Sequence, residues 1–149
     1  MAGKKILILD DEQDIRHLLS EILSEEGYIT KAVADSQSFY SELEQSLPDL
    51  AILDIWLQDS QEDGISVLKK LKKHHPNLPA IMISGHGTIE TAVESIKYGA
   101  YDFIEKPFKS DRLLLMIHRA LESYDLKKEN EDLRARVDAP ANMIGESSV

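Results

Sequence analysis

Two short apolar runs in this chain end in carboxylates, and these acids are the residues whose type and spacing point to chemistry. Lys5-Ile6-Leu7-Ile8-Leu9 leads into Asp10-Asp11-Glu12, and Asp49-Leu50-Ala51-Ile52-Leu53 leads into Asp54. An unpaired carboxylate is costly to bury, so each acid belongs at the end of its run, facing a polar crevice. A third run, Ala80 to Ile83, ends in Ser84-Gly85, and Ala100 to Ile104 is followed by Glu105-Lys106-Pro107. Asp10, Asp11 and Asp54, if they converge, repel one another unless a divalent cation joins them, and an all-oxygen site that keeps water coordinated suits magnesium. Lys106 adds a mobile positive charge and Ser84 a hydroxyl donor. Such a set can hold a phosphoryl group between metal and ammonium, with one carboxylate free to act as nucleophile. It has no serine, histidine and acid arrangement for acyl transfer and no glycine-rich phosphate loop. Acids at strand ends also cap helices, so Asp10, Asp11 or Asp14 could cap the first helix with no metal present. Taken singly, Ser84 reads as a turn residue and a lysine before proline as a surface residue. Five polar residues at the same end of successive strands favour the site.

The elements that must position these residues are legible in the apolar spacing. The runs at 5–9, 49–57 and 80–85 predict strands covered on both faces, as in a parallel sheet flanked by helices. Tyr28 to Val33 predicts a second strand and 100–104 a fifth. Between them, Ile15, Leu18, Leu19, Ile22 and Leu23 have helical spacing, with Gly27 as a stop. A helix over 38–45, capped by Asp35 or Ser36, ends before Pro48, and one over 65–75 ends before Pro76. A further helix spans 89–98 and stops at Gly99. Strand and helix alternating five times is the pattern of a doubly wound α/β fold with a five-stranded parallel sheet, and ligands of such sheets bind outside the carboxyl ends of the strands.

The last helix begins near Ser110 and packs through Leu113, Leu114, Ile117 and Leu121. No Gly or Pro interrupts 124–138, where Leu126, Leu133 and Val137 fit a heptad seam with Asn130 in it. That stretch reads as a helical linker able to pair with a second copy, or as a single solvated helix. Asp138-Ala139-Pro140-Ala141-Asn142 is expected to break it.

With 149 residues, 42% of them hydrophobic, the chain can bury one sizeable core. A formal charge of -10 argues against non-specific binding to nucleic acid or an anionic membrane. The absence of cysteine excludes disulfides and thiolate chemistry and suits a reducing cytoplasm. No apolar run approaches the roughly 20 residues of a membrane span. His17, His74, His75 and His118 lack metal-ligand spacing.

Asp10-Asp11, Asp54, Ser84-Gly85 and Lys106-Pro107, each after its strand, resemble the receiver domain of two-component response regulators over about residues 4–123. The phrase Gly99-Ala100-Tyr101-Asp102-Phe103-Ile104-Glu105-Lys106-Pro107-Phe108 is similar to that of the nitrogen-regulation (NtrC-like) subfamily, whose receivers precede an ATPase and a DNA-binding domain. The ending Ile144-Gly145-Glu146-Ser147 resembles the beginning of that ATPase domain, which implies a receiver at 4–123, a linker at 124–138 and the start of a following domain at 139–149.

The resemblance implies the flavodoxin-like receiver fold, and a phosphoacceptor with no output enzyme of its own in this chain. It implies that Asp54 takes phosphate from a histidine of a sensor kinase. Asp11 and Asp54 would bind Mg2+ directly and Asp10 through water, with the Trp56 backbone carbonyl as a further ligand. Ser84 and Phe103 would move together on phosphorylation, Lys106 would contact the phosphoryl group, and the Lys106–Pro107 bond would be cis. The change would alter the face made by helix 89–98, strand 5 and the last helix, and with it self-association into a homodimer.

The chain also departs from the family. A proline usually stands four residues beyond the acceptor and a glycine eight beyond; here Gln58 and a glycine ten beyond, Gly64, give a loop two residues longer. Trp56 is large beside the acceptor, and with His86 it could flank the path of the attacking water, although a packed loop aromatic is the plainer reading. Two rival functions remain at this point. A pseudo-receiver that never takes phosphate usually lacks an acid or the lysine, and none is missing. A magnesium phosphohydrolase usually has a second acid two residues after its nucleophile, where this chain has Trp56.

Overall fold

In a computed structural model, the structure describes residues 3–58, 60–85 and 88–144, with side chains described up to Leu126 and for Glu129 in the last helix. Five strands, β1 (Lys5–Leu9), β2 (Ile29–Val33), β3 (Leu50–Asp54), β4 (Ala80–Ser84) and β5 (Asp102–Glu105), alternate with α1 (Gln13–Glu25), α2 (Ser36–Gln45), α3 (Gly64–His74), α4 (Ile89–Lys97) and α5 (Ser110–Ile144). All strand pairs are parallel, in the order β2-β1-β3-β4-β5. The order reverses between β1 and β3, and at that switch point the flanking helices leave to opposite faces and open a crevice.

Alternating side chains sort the core into two layers, because neighbouring residues of a strand face opposite ways. Ile6, Ile8, Leu50, Ile52, Ile81, Ile83 and Ile104 pack under α1 and α5, through Leu19, Leu23, Leu113, Ile117 and Leu121. Leu7, Leu9, Ala51, Leu53 and Met82 pack under α2 and α3, through Phe39, Val67, Leu68 and Leu71. Every residue of β3 and of β4 is buried, which is why these two strands read as unbroken apolar runs. α4 is the weakly held helix: only Ser95 is buried in it, while Ile89, Val93 and Ile96 are exposed.

Local signals set most ends. Asp35 accepts a hydrogen bond from the Ser38 N–H at 2.8 Å and so caps α2, and Asp63 does the same for α3 through Ser66. Gly27 and Gly99 take positive φ after α1 and α4. β5 starts at Asp102, later than its apolar residues predict, although the Tyr101 N–H just before it already donates to the Ala80 carbonyl of β4 at 2.7 Å.

One expectation fails. The break anticipated at 138–142 does not occur, and α5 continues through Pro140 to Ile144. A proline inside a helix removes a single N–H, here the bond to the Arg136 carbonyl, and kinks a helix as readily as it ends one. Its neighbours Ala139 and Ala141 favour helix. At the head of this extension Lys4 and Asp125 form an ion pair at 3.0 Å, tying the start of the chain to the point where α5 leaves the sheet. Residues 145–149 lie outside the described residues. No described helix is long and apolar enough to cross a membrane.

Candidate functional site

The strand register decides which acids meet. Leu9 pairs with Leu53, so Asp10, one step beyond β1, comes beside Asp54, the last residue of β3. Both are buried, at 0% and 3% exposure. The Asp10 Oδ1 atom accepts the Glu12 N–H at 2.8 Å, and Arg16 donates to the Asp10 backbone carbonyl at 2.8 Å. These bonds turn the chain so that Asp11 and Glu12 face the crevice as well. Glu12 stands at the N-cap of α1 without a side-chain capping bond, so the acids are not consumed in starting that helix.

One oxygen from each of Asp10, Asp11, Glu12 and Asp54 can be chosen so that all lie within 4.8 Å of one another. Lys106 enters from the far side of the sheet. Its Nζ lies 2.9 Å from Asp10 Oδ2, 2.9 Å from Glu12 Oε1 and 3.3 Å from Asp54 Oδ2. A crevice of about 150 Å³ opens above them, lined by Asp11, Glu12, Asp54, Trp56, Gln58 and Lys106.

The electrostatics are those of crowded, half-compensated charge. Burial, and then the neighbouring Asp10, push the Asp54 carboxyl up to about 7, with Lys106 opposing them in part. Burial also raises Asp10, against the hydrogen bond from Glu12 and the ammonium of Lys106. For Lys106, burial alone would favour the neutral amine, but Glu12, Asp10 and Asp54 together outweigh it and hold the ammonium charged. Asp10 Oδ2 is buried with no aligned hydrogen-bond donor among the described residues, although the Lys106 ammonium is in ion-pair contact with it. A hard divalent cation fits this donor set: the oxygens are carboxylate only, Lys106 alone does not balance four of them, and one has no aligned hydrogen-bond donor.

The other expected residues fall as follows. Ser84 ends β4 fully buried, and its carbonyl accepts the Lys106 N–H at 2.8 Å, so hydroxyl and lysine positions are linked through one backbone bond. Phe103 pairs with Met82 and packs partly buried on the α2 and α3 side of the sheet, 1 wall of a groove shared with Val93 and Ile96 of α4. Lys106–Pro107 is cis. Trp56 lines the crevice and is 48% exposed, and His86 lies outside the described residues.

Three residues carry more than their sequence positions announce. Glu12, the third acid of its row, holds Lys106. Gly64 is packed against the Asp54 peptide, where a Cβ would sit 2.7 Å from the carbonyl carbon of Asp54 and 2.8 Å from the Cα of Ile55. The Gln58 N–H donates to Asp11 Oδ2 at 2.9 Å.

Comparison with known proteins agrees with this geometry. A family model described as the response regulator receiver domain matches residues 6–118. The chain is 49% identical over 144 residues to the nitrogen assimilation regulatory protein NtrX of Azorhizobium caulinodans, covering 97% of this chain and 32% of that protein. The crystal structure of the receiver domain of NtrX from Brucella abortus superposes with a TM-score of 0.76 at 56% identity, covering 78% of this chain and 98% of that one. The solution structure of the beryllofluoride-activated NtrC4 receiver domain dimer gives 0.76 at 38% identity, covering 80% and 98%. The phrases Asp54-Ile55-Trp56-Leu57-Gln58 and Ile81-Met82-Ile83-Ser84-Gly85-His86-Gly87, which resemble those of NtrX, are consistent with that closeness. The chain spans about a third of the length of the curated relatives it matches.

Proposed function

This chain belongs to the receiver-domain family of two-component response regulators, and on that premise we propose that Asp54 is its phosphoacceptor, taking phosphate from a phosphohistidine of a sensor kinase. The convergence of Asp10, Asp11 and Asp54 with Lys106 at one rim of the sheet carries this reading. An Asp54 carboxylate oxygen forms the new bond to phosphorus, and the bond from phosphorus to the histidine nitrogen breaks, its electron pair leaving with the imidazole. Asp10, Asp11, Asp54 and the Trp56 backbone carbonyl would hold Mg2+, which supplies charge neutralisation for the phosphoryl oxygens and keeps the acceptor ionised. Lys106 is already within 3.3 Å of the acceptor and needs only a small shift to meet a phosphoryl oxygen.

The added charge draws Ser84 and Lys106 toward the acceptor. The space behind Ser84 is then open to Phe103, which lines the groove beneath Val93 and Ile96. Val93 and Ile96, exposed apolar residues of α4, line that groove, so the switch alters the α4, β5 and α5 face and closes a homodimer there. Residues 124–138 continue α5 as a linker toward an output ATPase domain that begins near 139, through which the regulator acts on transcription. A cytoplasmic location follows from the source of its phosphate.

Trp56, half-exposed at the mouth of the crevice, would flank the approach of the water that removes the phosphate and slow its loss, a role the sequence also assigns to His86, which lies outside the described residues. The pseudo-receiver alternative predicts no covalent change. Incubation with acetyl phosphate and Mg2+ followed by mass spectrometry decides between them: a single base-labile phosphate, absent in Asp54→Asn, is expected, and an unmodified wild-type chain would remove the phosphoacceptor reading.

A further inference from the structure

The loop joining β3 to α3 is closed at its neck, where Gly64 donates to the Ile55 carbonyl at 2.9 Å, and its described residues make three outward ties between the ends. Gln58 donates its backbone N–H to Asp11 Oδ2 at 2.9 Å. The Ser60 hydroxyl accepts the backbone N–H of Ser36 at 3.0 Å and donates to the Ser36 hydroxyl at 3.1 Å, and Ser36 is the 1% exposed first residue of α2. Glu62 accepts from Tyr40 of α2 at 3.2 Å and from Lys70 of α3 at 2.9 Å.

From these ties we propose that the Gln58 N–H is a positioning group for Asp11, held in place by the Ser60–Ser36 pair, so that the lengthened loop and α2 together set the affinity of the crevice for a divalent cation. The inference rests on the cation-binding reading of the preceding subsection and adds to it which residues outside the crevice tune it. The Asp11 carboxylate stands on the segment leading into α1, only part-buried, with no strand to hold it. Freed, it can rotate about two side-chain torsions and lose the orientation shared with Asp10 and Asp54. A hydrogen bond to one oxygen fixes the plane of the carboxylate and leaves its other oxygen for the cation, as outer partners of metal ligands do. Proline, the usual family residue at this loop position, has no N–H to give, so Gln58 supplies a donor that such a loop lacks. A donor on an exposed loop is useful only if the loop is held still. The Ser60 hydroxyl does that by satisfying an N–H at the start of α2, a group that has no partner within its own helix.

The chain's single tryptophan, Trp56, lines the same crevice, so its fluorescence reads Mg2+ occupancy directly in the intact chain. Titration with Mg2+ is expected to give a dissociation constant several-fold weaker in Ser60→Ala and in Gln58→Pro than in wild type. Gln58→Ala, which keeps the N–H, and Ser60→Thr, which keeps the hydroxyl, are expected to match wild type. Thermal unfolding without Mg2+ separates this from a general loss of fold, since the expected effect is on cation affinity with melting little changed. Equal Mg2+ affinity in wild type, Ser60→Ala and Gln58→Pro overturns the positioning role while leaving the phosphoacceptor reading intact. Loss in Gln58→Ala equal to that in Gln58→Pro also overturns it, because the side chain and not the N–H would then be responsible. A wild-type chain that neither responds to Mg2+ nor takes phosphate from acetyl phosphate removes the underlying reading, and the positioning role with it.

Discussion

Gly64 and Asp54 are in backbone contact: the first residue of α3 lies so close to the Asp54 peptide that a Cβ at 64 would overlap its carbonyl group. The neighbouring atoms are backbone of a fully buried strand, which cannot give way as the end of a long side chain could. Gly64→Ala is therefore expected to lower stability by about 2 kcal/mol, within the range of overpacked cores, and to slow phosphorylation of Asp54 by displacing it. Denaturant melts and acetyl phosphate labelling check the two effects, and a variant normal in both would show that the contact relaxes freely.

The pair Asp10 and Asp54 makes the metal-free site a source of instability. Folding raises the Asp54 pKa to about 7, chiefly through burial, from an ordinary value of about 3.9. The folded state therefore holds this proton more tightly than the unfolded chain does. Its contribution is fully present below about pH 4 and is lost as pH rises through about 7. Asp54→Asn escapes that loss, because Lys106 keeps Asp10 and Glu12 as partners. In chelator its melting temperature is expected to exceed that of wild type by a few degrees above pH 7, a gain on the order of 1 kcal/mol, with the gap closing near pH 4. Added Mg2+ is expected to raise the wild-type temperature more than that of the variant.

Trp56 stands half-exposed over the crevice. On the proposed reading, its indole would hinder the approach of water to a phosphoryl group on Asp54. Trp56→Ala is expected to speed autodephosphorylation by roughly threefold or more, equivalent to about 0.7 kcal/mol of barrier, without changing melting. Phosphate release measured after removal of the donor checks this, and an unchanged rate would make Trp56 a loop-packing residue alone.

The α4 face exposes Ile89, Val93 and Ile96, and Val93 and Ile96 line a groove that reaches Phe103. Beryllium fluoride with Mg2+ is expected to shift the sedimenting species from one chain to two. Val93→Asp, at an exposed position, is expected to abolish the shift with little cost to stability, since exposed substitutions usually change it by less than about 0.5 kcal/mol. Identical sedimentation with and without beryllium fluoride would locate the response elsewhere.

Much of this molecule was readable from local chemistry. Alternating faces and unbroken apolar runs determine five strands and the helices between them, since burial on one or two faces leaves its period in neighbouring residues. The cost of burying an unpaired carboxylate places Asp10 and Asp54 at the ends of β1 and β3, where they are buried but paired with Lys106, and Asp35 caps its helix through a bond spanning three residues. Distances across tens of residues have no such local trace. The pairing of Leu9 with Leu53 brings Asp10 beside Asp54, and Lys106 reaches three acids at once only because β4 and β5 are stacked on that register. Glu12 as a lysine partner, Gly64 as the close contact of the acceptor and the Ser60–Ser36 tie depend on side chains meeting across the fold. So does the passage of α5 through Pro140, where one missing hydrogen bond is set against a helical backbone continuous on either side. Residue type thus determined what each group could do, and strand pairing and packing decided which groups do it together.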